Sequence, residues 1–148
     1  MAEQHIPTLL TAGVAGLRHW SNGSRTGELD VYAASTIREA VATIRLLRFD
    51  LLVVGLDDVS LDAWELVHRV RTRWPYQRWI MASSKLGVNE EIQARCMGAL
   101  LVLHEVPSED WFVEFTASLR RRELSRRVRV SESAAAVAPI PQGPMIQV

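Results

Sequence analysis

Of all features of this sequence, a short apolar run at residues 51–56, Leu-Leu-Val-Val-Gly-Leu, most restricts the folds that the chain can adopt. Its length suits a strand, and it shows no alternation of apolar and polar residues. Both faces of such a strand must be covered, which is typical of a parallel sheet with helices on its two sides. Four further strands are predicted over 8–12, 29–33, 79–82 and 100–103.

Segments with helical periodicity alternate with these strands. Thr36 and Glu39 have the spacing of a capping box, and an apolar stripe through Ile37, Val41 and Ile44 follows them. Other helices are predicted over 14–20, 62–73 and 90–97, the last capped by Asn89 and ended by Gly98, and from Ser108 onward. This alternation predicts an α/β fold with a parallel sheet between helices.

Composition excludes several classes of function. The 148 residues carry 17 basic and 17 acidic side chains, so overall charge gives no reason to expect specific nucleic-acid binding. Cys96 is the only cysteine, which excludes an intrachain disulfide, and we interpret it as a small core residue. The four histidines lack zinc-ligand spacing, and neither a signal peptide nor a transmembrane segment is predicted. We therefore expect a cytoplasmic protein without a metal or cofactor.

The C-terminal part of the chain changes in composition. Residues 120–129 contain six Arg and one Glu, and residues 134–144 are rich in Ala and Pro without any period. We predict one domain over residues 1–124. A tail over 125–148, basic and then Ala/Pro-rich, is predicted to be disordered.

Several local motifs point to one family. Phe49-Asp50 precedes the strand at 51–56, Trp74-Pro75 ends the following helix, and Gly98-Ala99 precedes the last strand. Asp62 and Glu65 fall on a helix start after that central strand. With this order of elements, residues 7–124 resemble the response-regulator receiver domain. The resemblance implies a flavodoxin-like three-layer sandwich with five parallel strands in the order 2-1-3-4-5.

The resemblance also implies where a phosphorylation site belongs. Receiver domains hold Mg²⁺ with an acidic pair, accept the phosphoryl group on an Asp, and contact it with a Ser or Thr and a Lys. In this chain the acidic pair falls on residues 11–13, Thr-Ala-Gly, and the acceptor falls on Gly55. The hydroxyl position holds Ser83, whereas the Lys position holds Glu105. The resemblance is therefore to a degenerate pseudo-receiver that lacks the phospho-accepting Asp.

Two acids near the lost acceptor leave alternatives open. Asp57 has the same strand parity as Gly55, but Asp57 and Asp58 are interpreted as solvated loop acids. One alternative is a phosphoryl-accepting receiver that uses Asp57 or Asp58 as a displaced acceptor. Another is a small-ligand-binding domain that reuses the vacated site above Gly55.

The favoured function is that of an atypical single-domain response regulator in bacterial signal transduction. It is expected to act as a phosphorylation-independent protein-interaction module and not as an enzyme. The expected partner is a regulator, a kinase, another receiver or a second copy of the chain. The predicted interaction face contains Val102, His104, Trp111, Arg120, Arg121 and Arg122.

Overall fold

The computed structural model describes residues 6–15 and 29–137, with side chains of the last helix as far as Leu124. The helix predicted over 14–20 lies outside these residues beyond Ala15. The described elements are β1 Thr8–Ala12, β2 Asp30–Ala34, α1 Ile37–Leu46, β3 Leu51–Val54, α2 Ala63–Arg73, β4 Trp79–Ala82, α3 Val88–Cys96, β5 Val102–Leu103 and α4 Glu109–Val137.

The strands form one parallel sheet in the order β2-β1-β3-β4-β5, as predicted. In this order β3 is central and lies between β1 and β4. The carboxyl ends of these three strands therefore meet at one edge of the sheet. In open α/β sheets this edge is where ligand and reaction sites lie.

The centre of the sheet is covered on both faces. Every residue of β3 and of β4 is buried, which explains why residues 51–54 show no polar alternation. Leu52 and Val54 belong to the main apolar cluster, in which Leu66 and Val67 of α2 are also fully buried. Each large aliphatic side chain buried in this way stabilises the fold by about 1.5–3 kcal/mol.

Two helices begin at the residues that the sequence predicts as caps. Thr36 Oγ1 accepts the Glu39 N–H at 3.0 Å, and the Glu39 carboxylate accepts the Ser35 N–H at 3.2 Å. Asp62 Oδ1 accepts the Glu65 N–H at 3.2 Å at the start of α2. A side-chain cap of this kind is worth about 0.5–2 kcal/mol.

Helix α3 differs from the sequence prediction in two respects. It begins at Val88, capped by Gly87 and not by Asn89, because the Glu90 carboxylate accepts the Gly87 N–H at 2.8 Å. Cys96 is exposed, so its interpretation as a core residue is wrong. Ala94 is the buried residue of this helix, and Gly98, with φ +92°, follows its end as predicted.

The chain divides into two compact units, Met1–Val113 and Glu114–Val148. The second contains most of α4, which continues to Val137. The backbone of residues 125–137, where a disordered tail is predicted, is therefore helical. The sequence permits this because Ala134–Ala136 favour a helix, and the first proline after the start of α4 is Pro139. The remaining tail, 138–148, lies outside the described residues.

Within the described part of the chain, no helix has the length and apolar character needed to cross a membrane.

Candidate functional site

Gly55 follows β3 directly and is buried at the carboxyl edge of the sheet. Its N–H donates to the Ala12 carbonyl oxygen at 2.9 Å, which ties the end of β3 to β1. A Cβ added at Gly55 would lie 2.7 Å from the Gly13 oxygen and 2.8 Å from the Ala82 oxygen. Both contacts are with backbone, which cannot rotate away. The position therefore has no room for any side chain.

Gly13 approaches Gly55 from the loop after β1. Its φ of +71° lies in the left-handed region, where residues with a Cβ are strained. A Cβ added at Gly13 would lie 2.5 Å from the Gly55 carbonyl oxygen. Two glycines thus permit a close backbone contact where the resemblance would place a metal ligand beside a phospho-acceptor.

The residues at the carboxyl end of β1 and directly after it do not fit a Mg²⁺ ion, which prefers carboxylate oxygens and water. Thr11, 3% exposed, has its hydroxyl 3.5 Å from the Tyr32 carbonyl oxygen, and Ala12 and Gly13 have no donor side chain. Across the described residues, no group of three or more His, Cys, Asp or Glu side chains could hold a metal ion.

The Asp57 carboxylate is a polar group that the structure places at this edge, beside the Ser83 hydroxyl. Its Oδ1 accepts the hydroxyl of Ser83 at 2.9 Å, and its Oδ2 accepts the Ala15 N–H at 3.0 Å. The Asp57 N–H also donates to the Gly13 carbonyl oxygen at 2.9 Å. Asp57 lies in a loop and is half-exposed, which agrees with its interpretation as a loop acid, but its carboxylate also binds two separate segments of the chain. In the sequence, the position of Asp57 two residues after Gly55 indicated that both could face the same way. Nothing in the sequence indicated the contact between Asp57 and the Ala15 N–H.

Ser83 and Asp58 have different surroundings. Ser83 follows β4, is 0% exposed, and its hydroxyl oxygen accepts the Lys85 N–H at 3.2 Å while donating to Asp57. Asp58 Oδ1 accepts the N–H of Ser60 at 2.9 Å and its hydroxyl at 2.6 Å, so this carboxylate caps its own loop. Asp58 thus binds within a local turn, whereas Asp57 joins the segments that follow β1 and β4.

The loop after β5 carries an acid and a histidine. Glu105 is exposed, and His104 Nε2 lies 2.9 Å from Glu91 Oε1 on α3. The hydrogen bond from His104 lowers the pKa of Glu91, and the charge of Arg95 acts in the same direction. This contact joins the end of β5 to the middle of α3.

The predicted interaction residues occupy different environments. Val102 is buried in the apolar cluster and contributes to the core. Trp111 is half-buried, and the centroid of its ring lies 5.1 Å from that of Phe112 in an edge-to-face contact. His104 is exposed. Arg120, Arg121 and Arg122 are exposed on α4, in the second unit.

Sequence reasoning missed an exposed apolar pair on α3. Val88 and Ile92 are 76% and 55% exposed, and their spacing of four residues puts them on one helix face. Leu100, before β5, is also exposed, at 43%. The available signal was the weak amphipathic pattern of residues 88–96, which gives this helix no continuous apolar stripe to bury.

Comparison with solved structures identifies the fold. A CheY-like response-regulator receiver domain protein from Methanospirillum hungatei matches with a TM-score of 0.66 and 16% identity, over 82% of this chain and 99% of its own. The chemotaxis protein CheY4 of Vibrio cholerae matches with a TM-score of 0.63 and 18% identity, over 79% and 98%. The chain has the fold of a response-regulator receiver domain.

The non-phosphorylated HemR receiver domain from Leptospira biflexa is a further match, with a TM-score of 0.59, 22% identity, and coverage of 78% of this chain and 92% of that domain. At such identities the likeness establishes the receiver fold. Comparison with protein-family models finds no match, and neither does comparison with curated proteins.

Proposed function

We propose that this receiver-fold protein is an atypical, degenerate response regulator that acts in bacterial signal transduction through protein contacts that do not need phosphorylation. The observation that carries this proposal is the closed backbone at Gly55. An Asp cannot stand there, because even its Cβ would lie 2.7 Å from the Gly13 oxygen and 2.8 Å from the Ala82 oxygen. The domain is proposed to be no enzyme and to need no cofactor.

The charges around this position support the same proposal. Residues 11–13 offer no carboxylate for Mg²⁺, which would otherwise neutralise phosphoryl oxygens. Glu105 stands where the receiver resemblance expects a Lys, and its negative charge would repel a phosphoryl group. Three separate contributions to phosphoryl transfer are therefore missing together.

The environment of Asp57 argues against a displaced acceptor. Both of its carboxylate oxygens accept hydrogen bonds, one from Ser83 and one from Ala15. A nucleophilic attack by either oxygen would have to give up part of this arrangement without a metal to offset the phosphoryl charge. Asp58 is no better suited to nucleophilic attack, because its carboxylate caps the turn at Ser60.

The alternative of a small ligand above Gly55 is also less favoured. A vacated site would need open space at the carboxyl edge of β3. Instead, the positions around Gly55 are filled by the backbone of Gly13 and Ala82 and by Val14, whose Cγ2 would lie 2.9 Å from an added Cβ. Binding there would require the strands to separate.

The proposed contact surface is made of exposed residues in the first unit. We name Val88, Ile92, Leu100 and His104 the α3–β5 surface. Exposed apolar side chains rimmed by charged ones are typical of protein interaction sites. A second proposed contact is the Arg120–Arg122 cluster on α4, which suits an acidic partner. The proposed partner is a kinase, a regulator, another receiver or a second copy.

The proposal is tested with a partner purified from the native cell by affinity capture and identified by mass spectrometry. Binding of the purified pair is measured with and without acetyl phosphate and Mg²⁺ added to this protein. Equal affinity is expected, because no acceptor responds to the phosphoryl donor. A partner that binds only after treatment would overturn phosphorylation independence.

A further inference from the structure

The Asp57 carboxylate connects loops that leave the carboxyl ends of three strands. It accepts the Ala15 N–H, after β1, at 3.0 Å and the hydroxyl of Ser83, after β4, at 2.9 Å. The Ser83 oxygen accepts in turn the Lys85 N–H at 3.2 Å. One carboxylate on the loop after β3 therefore begins a chain of hydrogen bonds that ends in the segment between β4 and α3.

That segment leads directly into a helix with few anchors of its own. Lys85 lies two residues before Gly87, the N-cap of α3, and Ala94 is the residue of α3 that is buried. Elements with few buried side chains open locally at a low free-energy cost. The position of α3 should therefore depend strongly on what fixes residues 83–87.

We propose that Asp57 is a permanent internal latch, meaning that its carboxylate holds the Ser83 hydroxyl and, through it, keeps the start of α3 in one arrangement. The inference rests on the proposed function, because an Asp57 that became phosphorylated would lose an oxygen of the latch. It extends that function by naming the group that fixes the α3–β5 surface without any modification.

The strength expected of the latch follows from its chemistry. Hydrogen bonds to a carboxylate are about twice as strong as those between neutral groups. Loss of a net interaction of this kind typically changes a local opening equilibrium by about tenfold or more. The effect should be confined to the segments that the hydrogen bonds join.

Amide hydrogen exchange of the full chain, followed residue by residue by NMR, tests the latch. Asp57→Ala removes both acceptor oxygens, Asp57→Asn keeps one, and Ser83→Ala removes the hydroxyl that passes the contact on to Lys85. In Asp57→Ala the amides of Lys85 and α3 should exchange about tenfold faster. Ser83→Ala should give a similar pattern and Asp57→Asn a smaller one, while β3 and β4 amides remain protected.

Asp58→Ala is the matched control, because this neighbouring carboxylate caps its own turn at Ser60. It should leave exchange in α3 unchanged. Unchanged α3 exchange in both Asp57→Ala and Ser83→Ala would overturn the latch. So would an equal increase in Asp58→Ala, or a uniform increase that includes β3 and β4, which would show only a general loss of stability. Asp57→Asn and Ser83→Ala keep the test decisive if Asp57→Ala does not fold.

Failure of the latch and failure of the proposed function give different results. A latch without effect leaves the protein unlabelled by acetyl phosphate and α3 exchange insensitive to Asp57. A failure of phosphorylation independence instead gives a phosphorylated protein whose α3 exchange changes on labelling.

Discussion

The Gly13 carbonyl oxygen approaches Gly55 so closely that a Cβ at Gly55 would stand 2.7 Å from it. The contact closes the carboxyl edge of the sheet between β1 and β3, where a receiver would carry its acceptor. Gly13 contributes by its φ of +71°, a conformation that a residue with a side chain rarely adopts. The two glycines together exclude side chains from the position on which phosphoryl chemistry would depend.

The first prediction is that Gly55→Asp will not create a phosphorylation site. The added Cβ meets backbone oxygens of Gly13 and Ala82, so the variant should lose about 1–3 kcal/mol of unfolding free energy, or more. Urea denaturation measures this loss, and acetyl phosphate labelling tests the chemistry. Gly87→Ala is the matched control, because its Cβ meets the flexible Glu90 side chain, and it should cost about 1 kcal/mol or less. Equal costs would contradict the backbone closure.

The second prediction concerns Asp50, whose carboxylate accepts the Thr8 N–H at 2.8 Å. Burial raises the pKa of Asp50, against the opposing effects of the Thr8 hydrogen bond and of Arg78. Because the pKa of Asp50 is raised in the folded state, protonated Asp50 contributes its full stability below pH 3.8. This contribution is lost as pH rises through the pKa of the folded state.

Asp50→Asn, which cannot ionise, should therefore gain stability relative to the natural chain as pH rises. Chemical denaturation of both proteins below pH 3.8 and at neutral pH provides the comparison. A difference in unfolding free energy that stays constant between the two conditions would contradict the raised pKa.

The third prediction concerns the contact between His104 and Glu91. The hydrogen bond from His104 is the largest cause that lowers the pKa of Glu91, so His104→Ala should raise that pKa toward 4.5. NMR titration of the Glu91 side-chain carboxyl measures the change. Because the pKa of Glu91 is lowered in the folded state, the contact stabilises the fold above pH 4.5. This stabilisation is lost as pH falls through the pKa of the folded state. An unchanged titration in His104→Ala would show that the contact is not formed in solution.

The fourth prediction separates the two proposed contact surfaces. Reversal of Arg120, Arg121 and Arg122 to Glu should weaken the capture of an acidic partner and reduce the salt dependence of binding. Thermal stability should change little, because exposed charges contribute about 0–1 kcal/mol each to folding. Val88→Ser with Ile92→Ser removes the apolar pair of the α3–β5 surface and should slow or abolish capture without a change in salt dependence. Full binding by both variants would exclude both surfaces.

Much of the fold follows from the sequence because its signals are local. The apolar run at Leu51–Val54 requires cover on both faces, and the pair Thr36 and Glu39 begins a helix with groups only three residues apart. The start of α3 was not predicted because the Glu90 side chain caps the helix from within. Gly87, the N-cap residue, has no side chain that would mark this position in the sequence.

The candidate site was only partly predictable, because its contacts join distant segments. Sequence alignment with the receiver pattern places Gly55 and Ser83 at the edge of the sheet, where the structure also has them. The partners of Asp57 depend on the register between strands and on the turn at Gly13. Ala15, which donates only its backbone N–H, has a side chain that reveals nothing about this role.

The central claim, that this receiver fold works without phosphorylation, is tested most directly by intact-protein mass spectrometry after incubation with acetyl phosphate and Mg²⁺. The natural chain, Asp57→Asn and Asp58→Asn are treated in parallel with a receiver that is known to be phosphorylated. We predict an unchanged mass for all three versions of this chain. A stoichiometric gain of one phosphoryl group by the natural chain, lost in Asp57→Asn or Asp58→Asn, would contradict the account and establish a displaced acceptor.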